Sequence, residues 1–412
     1  MSKANDQQYD IIIVGGGPAG SASALYAKRQ GLSSVLLDKQ SFPRDKICGD
    51  ALSGKSVTAL EDLDLLDQVS QLPGAFIQSV VFGSPTFKKV KIDFKRDIVD
   101  NNPSGYVIRR EVFDDFLFTQ AKNAATTTEE NFIVQDVIRE DNHLAGVTGK
   151  NTKTGEEKTY RGKVILGADG FNSLIARKTG LYDHDPEHWV VALRQYFRGV
   201  KGLTDQIELH YIDEVLPGYF WIFPLEEDRA NVGIGMLHQY IKDRNVDLKV
   251  ALDQAVHSEA FQERFAEAEP LENPRGWNLP VGSKHRKIYG NGFMLLGDAA
   301  SLIDPFTGEG IGNALYSARF AVEVAAEGIA AGDLSENFLA EYDRRLWSEV
   351  GDELKVSYKL QKLGRHRFLL NFVINKAAKS EEVSNIIAGM LANEVPRKEL
   401  ANPLFYFKLL FS

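Results

Sequence analysis

The run YDIIIVGGGPAG at residues 9–20 decides the fold. Residues 9–14 are a short apolar stretch of strand-forming types, and glycines follow at once at Gly15, Gly17 and Gly20. From Pro18 to Gln30 the chain is rich in helix formers and stops at Gly31. Ser34–Leu37 then reads as a second strand ending at Asp38. A G-x-G-x-x-G pattern says little alone, but between a strand and a helix it marks a dinucleotide site. Gly15 permits the tight turn, Gly17 lets the backbone approach a pyrophosphate, and Gly20 lets helix and strand pack closely, with Ala19 in the first helical turn. The helix start adds unpaired N–H groups and positive dipole. Asp38 stands where a carboxylate can accept ribose hydroxyls, about 20 residues past the glycines. The motif by itself leaves NAD and FAD open.

Two later segments choose between them. Residues 163–170, KVILGADG, form an apolar strand running into Asp169-Gly170. Residues 292–296 form another, followed by GDAA at 297–300 and DPFTGEGIGN at 304–313, which opens a long helix rich in small residues. Asp298 alone could cap a helix, and Asp169-Gly170 alone could be an ordinary turn. Together and in this order the three motifs resemble the single-component FAD hydroxylase and reductase superfamily related to p-hydroxybenzoate hydroxylase. The resemblance implies FAD as cofactor. It places Asp298 at the ribityl or pyrophosphate region, Asp169 at the shared flavin and nicotinamide region, and Arg110 against the FAD from a helix start. Asp38 stands where many of those relatives have Glu. Independently, the turn through Gly308 and Gly310 leads into a helix at Ile311, whose N–H groups can face the negative pyrimidine edge of a reduced flavin.

The segment PGYFWIFPL at 217–225, followed by Gly233-Ile234-Gly235, narrows the class. Its YxWxFP pattern with a trailing GxG resembles the geranylgeranyl reductase family, as does the loop Lys46-Ile47-Cys48-Gly49-Asp50. Flavin halogenases carry a related WxWxIP pattern, from which Tyr219 and Phe223 depart. The resemblance runs in ordered motifs from Tyr9 to about Ser317. It implies an FAD-dependent reductase that saturates C=C bonds of a long isoprenoid chain by flavin hydride transfer plus protonation. NADPH or a ferredoxin-type donor would be the reductant, and an isoprenoid lipid or prenylated small molecule the substrate. Strand alternation puts Tyr219, Trp221 and Phe223 on one face, where three rings can line a wall, with Phe220 and Ile222 on the other. Cys48, Tyr219 and Trp221 are the candidate catalytic residues, Cys48 or Tyr219 as proton donor. The rival readings are an aromatic-hydroxylating FAD monooxygenase and a non-enzymatic prenyl-binding escort.

The expected fold is α/β: a Rossmann-type FAD-binding domain, an inserted antiparallel-sheet substrate domain and a C-terminal helical region. The FAD domain is expected to be discontinuous, over 1–72, 103–180 and 281–332, with the substrate domain at 73–102 and 181–280 and the helical region at 333–412. Residues 190–200, 207–212 and 230–236 read as strands, 246–267 as helical, and the polar stretch 126–130 as a loop. The 412 residues carry 48 basic against 57 acidic side chains, a net charge of -9 that argues against nucleic acid as a partner. Cys48 is the only cysteine, so no intrachain disulfide or cysteine-rich metal site is expected. MSKANDQQYD lacks the apolar core of a secretory leader, and a cytoplasmic setting is expected. In the tail, apolar residues 368–374 follow Lys362, Arg365, His366 and Arg367, and 402–411 are again apolar. The tail reads as packing over the core or, alternatively, as a peripheral membrane contact. Oligomeric state is not readable.

Overall fold

The computed structural model describes residues 8–94, 105–183, 185–380 and 383. The second apolar tail segment, 402–411, lies outside them.

Gln8–Val14 forms the first strand, and its interior residues Ile11, Ile12 and Ile13 are fully buried. It pairs in parallel with Ser34–Leu37 on one side and with Glu157–Gly167 on the other. Phe293–Leu295 continues the parallel order beyond Glu157–Gly167. The helix Pro18–Arg29 has proline in its first turn, where a missing N–H costs nothing, and it packs against the long helix Ile311–Ala331. The strands whose C-terminal ends carry the glycine motifs are therefore neighbours, and a ligand at that end meets all three motifs.

Residues 126–130 are not a loop. Thr127–Glu129 is the parallel edge strand beside Ser34–Leu37. Its polar composition suits an edge: Thr127 Oγ1 lies 2.8 Å from the Tyr9 hydroxyl, and Glu129 accepts hydrogen bonds from Lys158 and Tyr160. A meander, Phe132–Glu140 and His143–Asn151, completes this sheet against Glu157–Gly167.

The second large sheet carries the aromatic strand Tyr219–Pro224 between Gln206–His210 and Arg229–Leu237. Trp189–Arg198 pairs on the far side of Arg229–Leu237. These pairings are antiparallel, as expected, but Gln206–His210 also pairs in parallel with Ser79–Gly83, a strand from the earlier segment. One face of the sheet packs Phe220 and Ile222 against the helix Leu248–His257. The other face puts Trp221 and Phe223 in a cluster with Ile77, Val80 and Val107. The helical reading of 246–267 holds only in two pieces, Leu248–His257 and Gln262–Phe265. Phe261 is pulled into the core between them, 5.0 Å from Phe220 and 4.7 Å from His210 by ring centroids. Two helices, Glu336–Leu363 and Arg367–Ala377, follow. Ile374 and Ala377 bury into the cluster that holds Trp221, while Phe368 is exposed.

Candidate active site

Gly15 and Gly20 leave no room for side chains. Gly15 has φ +106°, and a Cβ there would lie 2.3 Å from the Ala168 carbonyl oxygen. At Gly20 a Cβ would lie 1.7 Å from the Gly15 oxygen. Gly17 precedes the helix Pro18–Arg29, whose first turn has no side-chain cap, so its N–H groups stay open to an anion. The Arg44 guanidinium lies beside Gly17. Asp38 first braces this turn: Oδ2 accepts the Gly16 N–H at 2.6 Å and Oδ1 accepts the Gln40 N–H at 2.8 Å. Its remaining lone pairs are what a ribose could use.

The late motif meets this turn from the other side. A Cβ on Gly297 would touch Ala19 at 3.4 Å, so the Gly297–Ala300 turn abuts the first helix. Asp298 takes an ion pair from Lys46 at 3.1 Å. Gly310 caps the helix Ile311–Ala331, again with no side-chain cap, and Gly308 has φ +76°. Asp169 caps a short helix, accepting the Leu174 and Ile175 N–H groups at 2.6 and 3.3 Å. Burial pushes its pKa up, and its Oδ1 is buried without a partner. Two uncapped helix starts, a turn that admits no Cβ and an open carboxylate oxygen fit a dinucleotide. Arg110 begins the helix Arg110–Ala124 as expected, but its guanidinium is held by Asp114 at 2.7 and 2.8 Å. Burial opposes that charge, yet Asp114 and the Cys48 side chain, within hydrogen-bonding reach, outweigh it and raise the Arg110 pKa.

Between this cradle and the second sheet lies a cavity of about 590 Å³. Cys48 lines one side, Tyr219, Trp221 and Phe223 another, and the turn Gly308–Gly310 a third. Ring centroids are 6.1 Å apart for Tyr219 and Trp221, and 6.2 Å for Trp221 and Phe223. The Tyr219 hydroxyl donates to the Thr307 carbonyl at 2.8 Å, and burial pushes its pKa up, so it keeps its proton at neutral pH. Gly49 lets the loop approach the wall, since a Cβ there would sit 3.0 Å from Phe223. Gly233 is the floor beneath Trp221: the two residues are cross-strand partners, and a Cβ on Gly233 would lie 2.3 Å from the indole Cζ2.

Residues outside the candidate site set hold the Cys48 loop in place. Asp45 pairs with Arg194 at 2.7 Å and with Arg275. Asp50 is fully buried with φ +66°, and its carboxylate accepts from Tyr196, Asn231 and the Arg110 N–H. Burial raises its pKa to about 6, against the lowering effects of Arg194, Asn231, Tyr196 and Arg110. At the polar rim of the cavity, buried Lys55 pairs with Glu353 and donates to Asn313 at 3.0 Å, with Glu309 close by. Burial pushes the Glu309 carboxyl up despite Lys55. A usable signal was Asn231 itself, a polar residue inside the apolar run ANVGIG, which burial obliges to find partners.

The family described as FAD binding domain matches this chain over residues 8–345. The chain belongs to that family. As a member of this FAD-binding family it is a flavoprotein, and the two curated relatives that follow are reductases by name. A digeranylgeranylglycerophospholipid reductase of Methanococcoides burtonii is 31% identical over 350 residues, covering 84% of this chain and 81% of that protein. Digeranylgeranylglycerophospholipid reductase 2 of Methanopyrus kandleri is 29% identical over 402 residues, 96% of each chain. The crystal structure of a geranylgeranyl bacteriochlorophyll reductase-like protein from Thermoplasma acidophilum superposes with a TM-score of 0.83 at 26% identity, covering 96% of this chain and 99% of that one. Among the described residues no helix is long and apolar enough to cross a membrane, and no cluster of side chains could hold a metal ion.

Proposed function

We propose that this protein is an FAD-dependent reductase that saturates the C=C bonds of a geranylgeranyl-type chain carried on a glycerophospholipid. The observation that carries this reading is the cavity in which an aromatic wall, a cysteine and the uncapped helix start at Ile311 meet. Its volume of about 590 Å³ lies within the roughly 300–1,000 Å³ of small-molecule sites. The names of the relatives support the same substrate class.

An isolated alkene is unpolarised, so one carbon must receive hydride while the other receives a proton. Bound and reduced, FAD supplies the hydride. The chain's own residues do the rest. Tyr219, Trp221 and Phe223 hold the prenyl chain by apolar contact and exclude water. Cys48 holds the proton for the second carbon at Sγ, because the Tyr219 hydroxyl is already committed to Thr307. Asp38, Asp169, Asp298, Arg110 and the turns at Gly15, Gly17, Ala19, Gly20, Gly308, Gly310 and Ile311 hold the cofactor. Segments 1–72, 103–180 and 281–332 serve the cofactor, and 73–102 with 181–280 serve the lipid. The helix Glu336–Leu363 borders the cavity through Ser348, Glu349, Asp352 and Glu353, and exposed Phe368 is a peripheral membrane contact. The reductant is NADPH or a ferredoxin-type protein.

The test is anaerobic incubation of the chemically reduced, FAD-loaded protein with a digeranylgeranylglycerophospholipid, followed by mass spectrometry. Gain of hydrogen pairs supports the reading. An unchanged lipid, with flavin that reoxidises with another acceptor, refutes it and favours an oxygen-using hydroxylase. Repeating the turnover with NADPH or reduced ferredoxin separates the two donors.

A further inference from the structure

We infer that Asn231 is a positioning residue that locks the Cys48 loop to the Trp221 ring, with Asp50 and Tyr196 completing the bracket. Asn231 has no exposed surface. Its amide has one acceptor and two donor hydrogens, and all three are used. The oxygen accepts the Trp221 Nε1–H at 2.9 Å, while the nitrogen donates to the Cys48 carbonyl at 2.8 Å and to Asp50 Oδ2 at 2.7 Å. Chemistry fixes this orientation, because an indole N–H only donates and a carbonyl only accepts. Cys48 and Asp50 lie 183 and 181 residues away along the chain, on the loop that follows the second parallel strand. Trp221 lies on the neighbouring strand of the second sheet.

No other side chain of this size can replace the amide. Aspartate would present two acceptors to Asp50 and to the Cys48 carbonyl. Leucine would leave a buried indole N–H, a carbonyl and a carboxylate each short of a partner. Tyr196 is the cross-strand partner of Asn231 and reaches the same Asp50 oxygen at 2.8 Å, so two adjacent residues grip one carboxylate. The bracket fixes the relative position of the thiol-bearing loop and the aromatic wall, the two sides between which the alkene must lie. Its part in turnover rests on the reductase reading above. The loop-locking itself does not.

Cys48 is the only cysteine, which supplies a clean readout. Iodoacetamide labelling of the FAD-loaded protein, followed by mass spectrometry, measures how tightly the loop is held. Asn231→Leu is expected to raise the labelling rate about tenfold by allowing local opening. Tyr196→Phe keeps the ring, drops one bond to Asp50, and should raise the rate about threefold, deciding the question where the leucine variant does not fold. Trp221→Phe leaves both Asn231 donors on the loop, so labelling stays at the wild-type rate while kcat on the prenyl lipid falls about tenfold with little change in KM. Wild-type labelling in both Asn231→Leu and Tyr196→Phe overturns the inference, as does faster labelling in Trp221→Phe. If wild-type protein fails to reduce the lipid, the reductase reading falls alone, because the labelling rate still decides the bracket.

Discussion

Gly233→Ala tests whether the trailing GxG exists to seat the indole of Trp221. The new Cβ would lie 2.3 Å from Trp221 Cζ2, 2.7 Å from Cε2, and 2.2 Å from the Leu193 carbonyl oxygen. Carbon atoms at optimal separation sit about 3.5–4.0 Å apart, so the indole must lift by more than about 1 Å. The strand Trp189–Arg198 cannot yield easily, because Leu193 pairs in register with Ile234, next to Gly233. Overpacking of this kind costs about 1–3 kcal/mol. Lifting the indole also breaks its bond to the Asn231 oxygen, for a further ~0.5–1.5 kcal/mol. The sum is about 1.5–4.5 kcal/mol, several degrees of Tm in a chain of this length. A displacement near 1 Å at a substrate-positioning group costs on the order of 100-fold in rate. FAD content should be unchanged, since the atoms a Gly233 Cβ would meet belong to Leu193 and Trp221 and not to the turns at Gly15 or Gly308. The assays are calorimetry, flavin absorbance and lipid reduction on one preparation. An alanine variant with wild-type Tm and kcat would refute the reasoning, because the register leaves the Cβ no other direction to point.

Three further outcomes are expected. Gly15→Ala places a Cβ 2.3 Å from a backbone oxygen at φ +106°, so the purified protein should be colourless or bind FAD at least about tenfold more weakly by flavin titration. Lys55→Met removes the buried cation between Glu353 and Glu309, and urea denaturation at neutral pH should show a loss of about 3–5 kcal/mol, diminished where Glu309 takes up a proton. Asp50→Asn should change the pH dependence of stability. The folded pKa of Asp50, about 6, lies above the ordinary 3.8, with Arg194, Arg110, Tyr196 and Asn231 facing it. The raised pKa means the folded state binds the proton more tightly. Its contribution is therefore present below pH 3.8 and lost as pH rises through about 6. The stability difference between wild type and Asp50→Asn should shift against wild type by roughly 2–3 kcal/mol across that window, measured by denaturation at each pH. A flat difference would show that the carboxylate is not carrying its charge unaided.

The parallel sheet was legible because its signals are local. Buried strands such as Ile11–Ile13 are apolar throughout, and Gly15 and Gly20 after them mark positions where a side chain would collide with backbone. Ser34–Leu37 came out at its observed bounds for the same reason. Thr127–Glu129 was misread because an edge strand has solvent on one side, and its polar residues satisfy themselves with Tyr9, Lys158 and Tyr160 from distant strands. The broken helix at 246–267 failed differently. Its hydrophobic pattern is helical, but Phe261 gains more from the pocket against Phe220 and His210 than from continuing the helix. Nor could any window reveal that Gln206–His210 pairs in parallel with Ser79–Gly83, since the two are over a hundred residues apart.

The site divides along the same line. Alternation alone puts Tyr219, Trp221 and Phe223 on one face, and the sheet does so. What alternation cannot supply is the partner of that face. The wall is useful only if the loop that follows Ser34–Leu37 stands at a fixed distance from it, and side-chain hydrogen bonds between that loop and the second sheet set that distance. Apolar contact would tolerate sliding; an amide with three directed bonds does not. This explains why a fully buried asparagine and a buried, destabilised aspartate persist where apolar residues would pack at lower cost. Their presence in the apolar runs ANVGIG and CGDAL was a legible demand for partners. The identity of those partners was not legible, because each lies in the other's half of the chain.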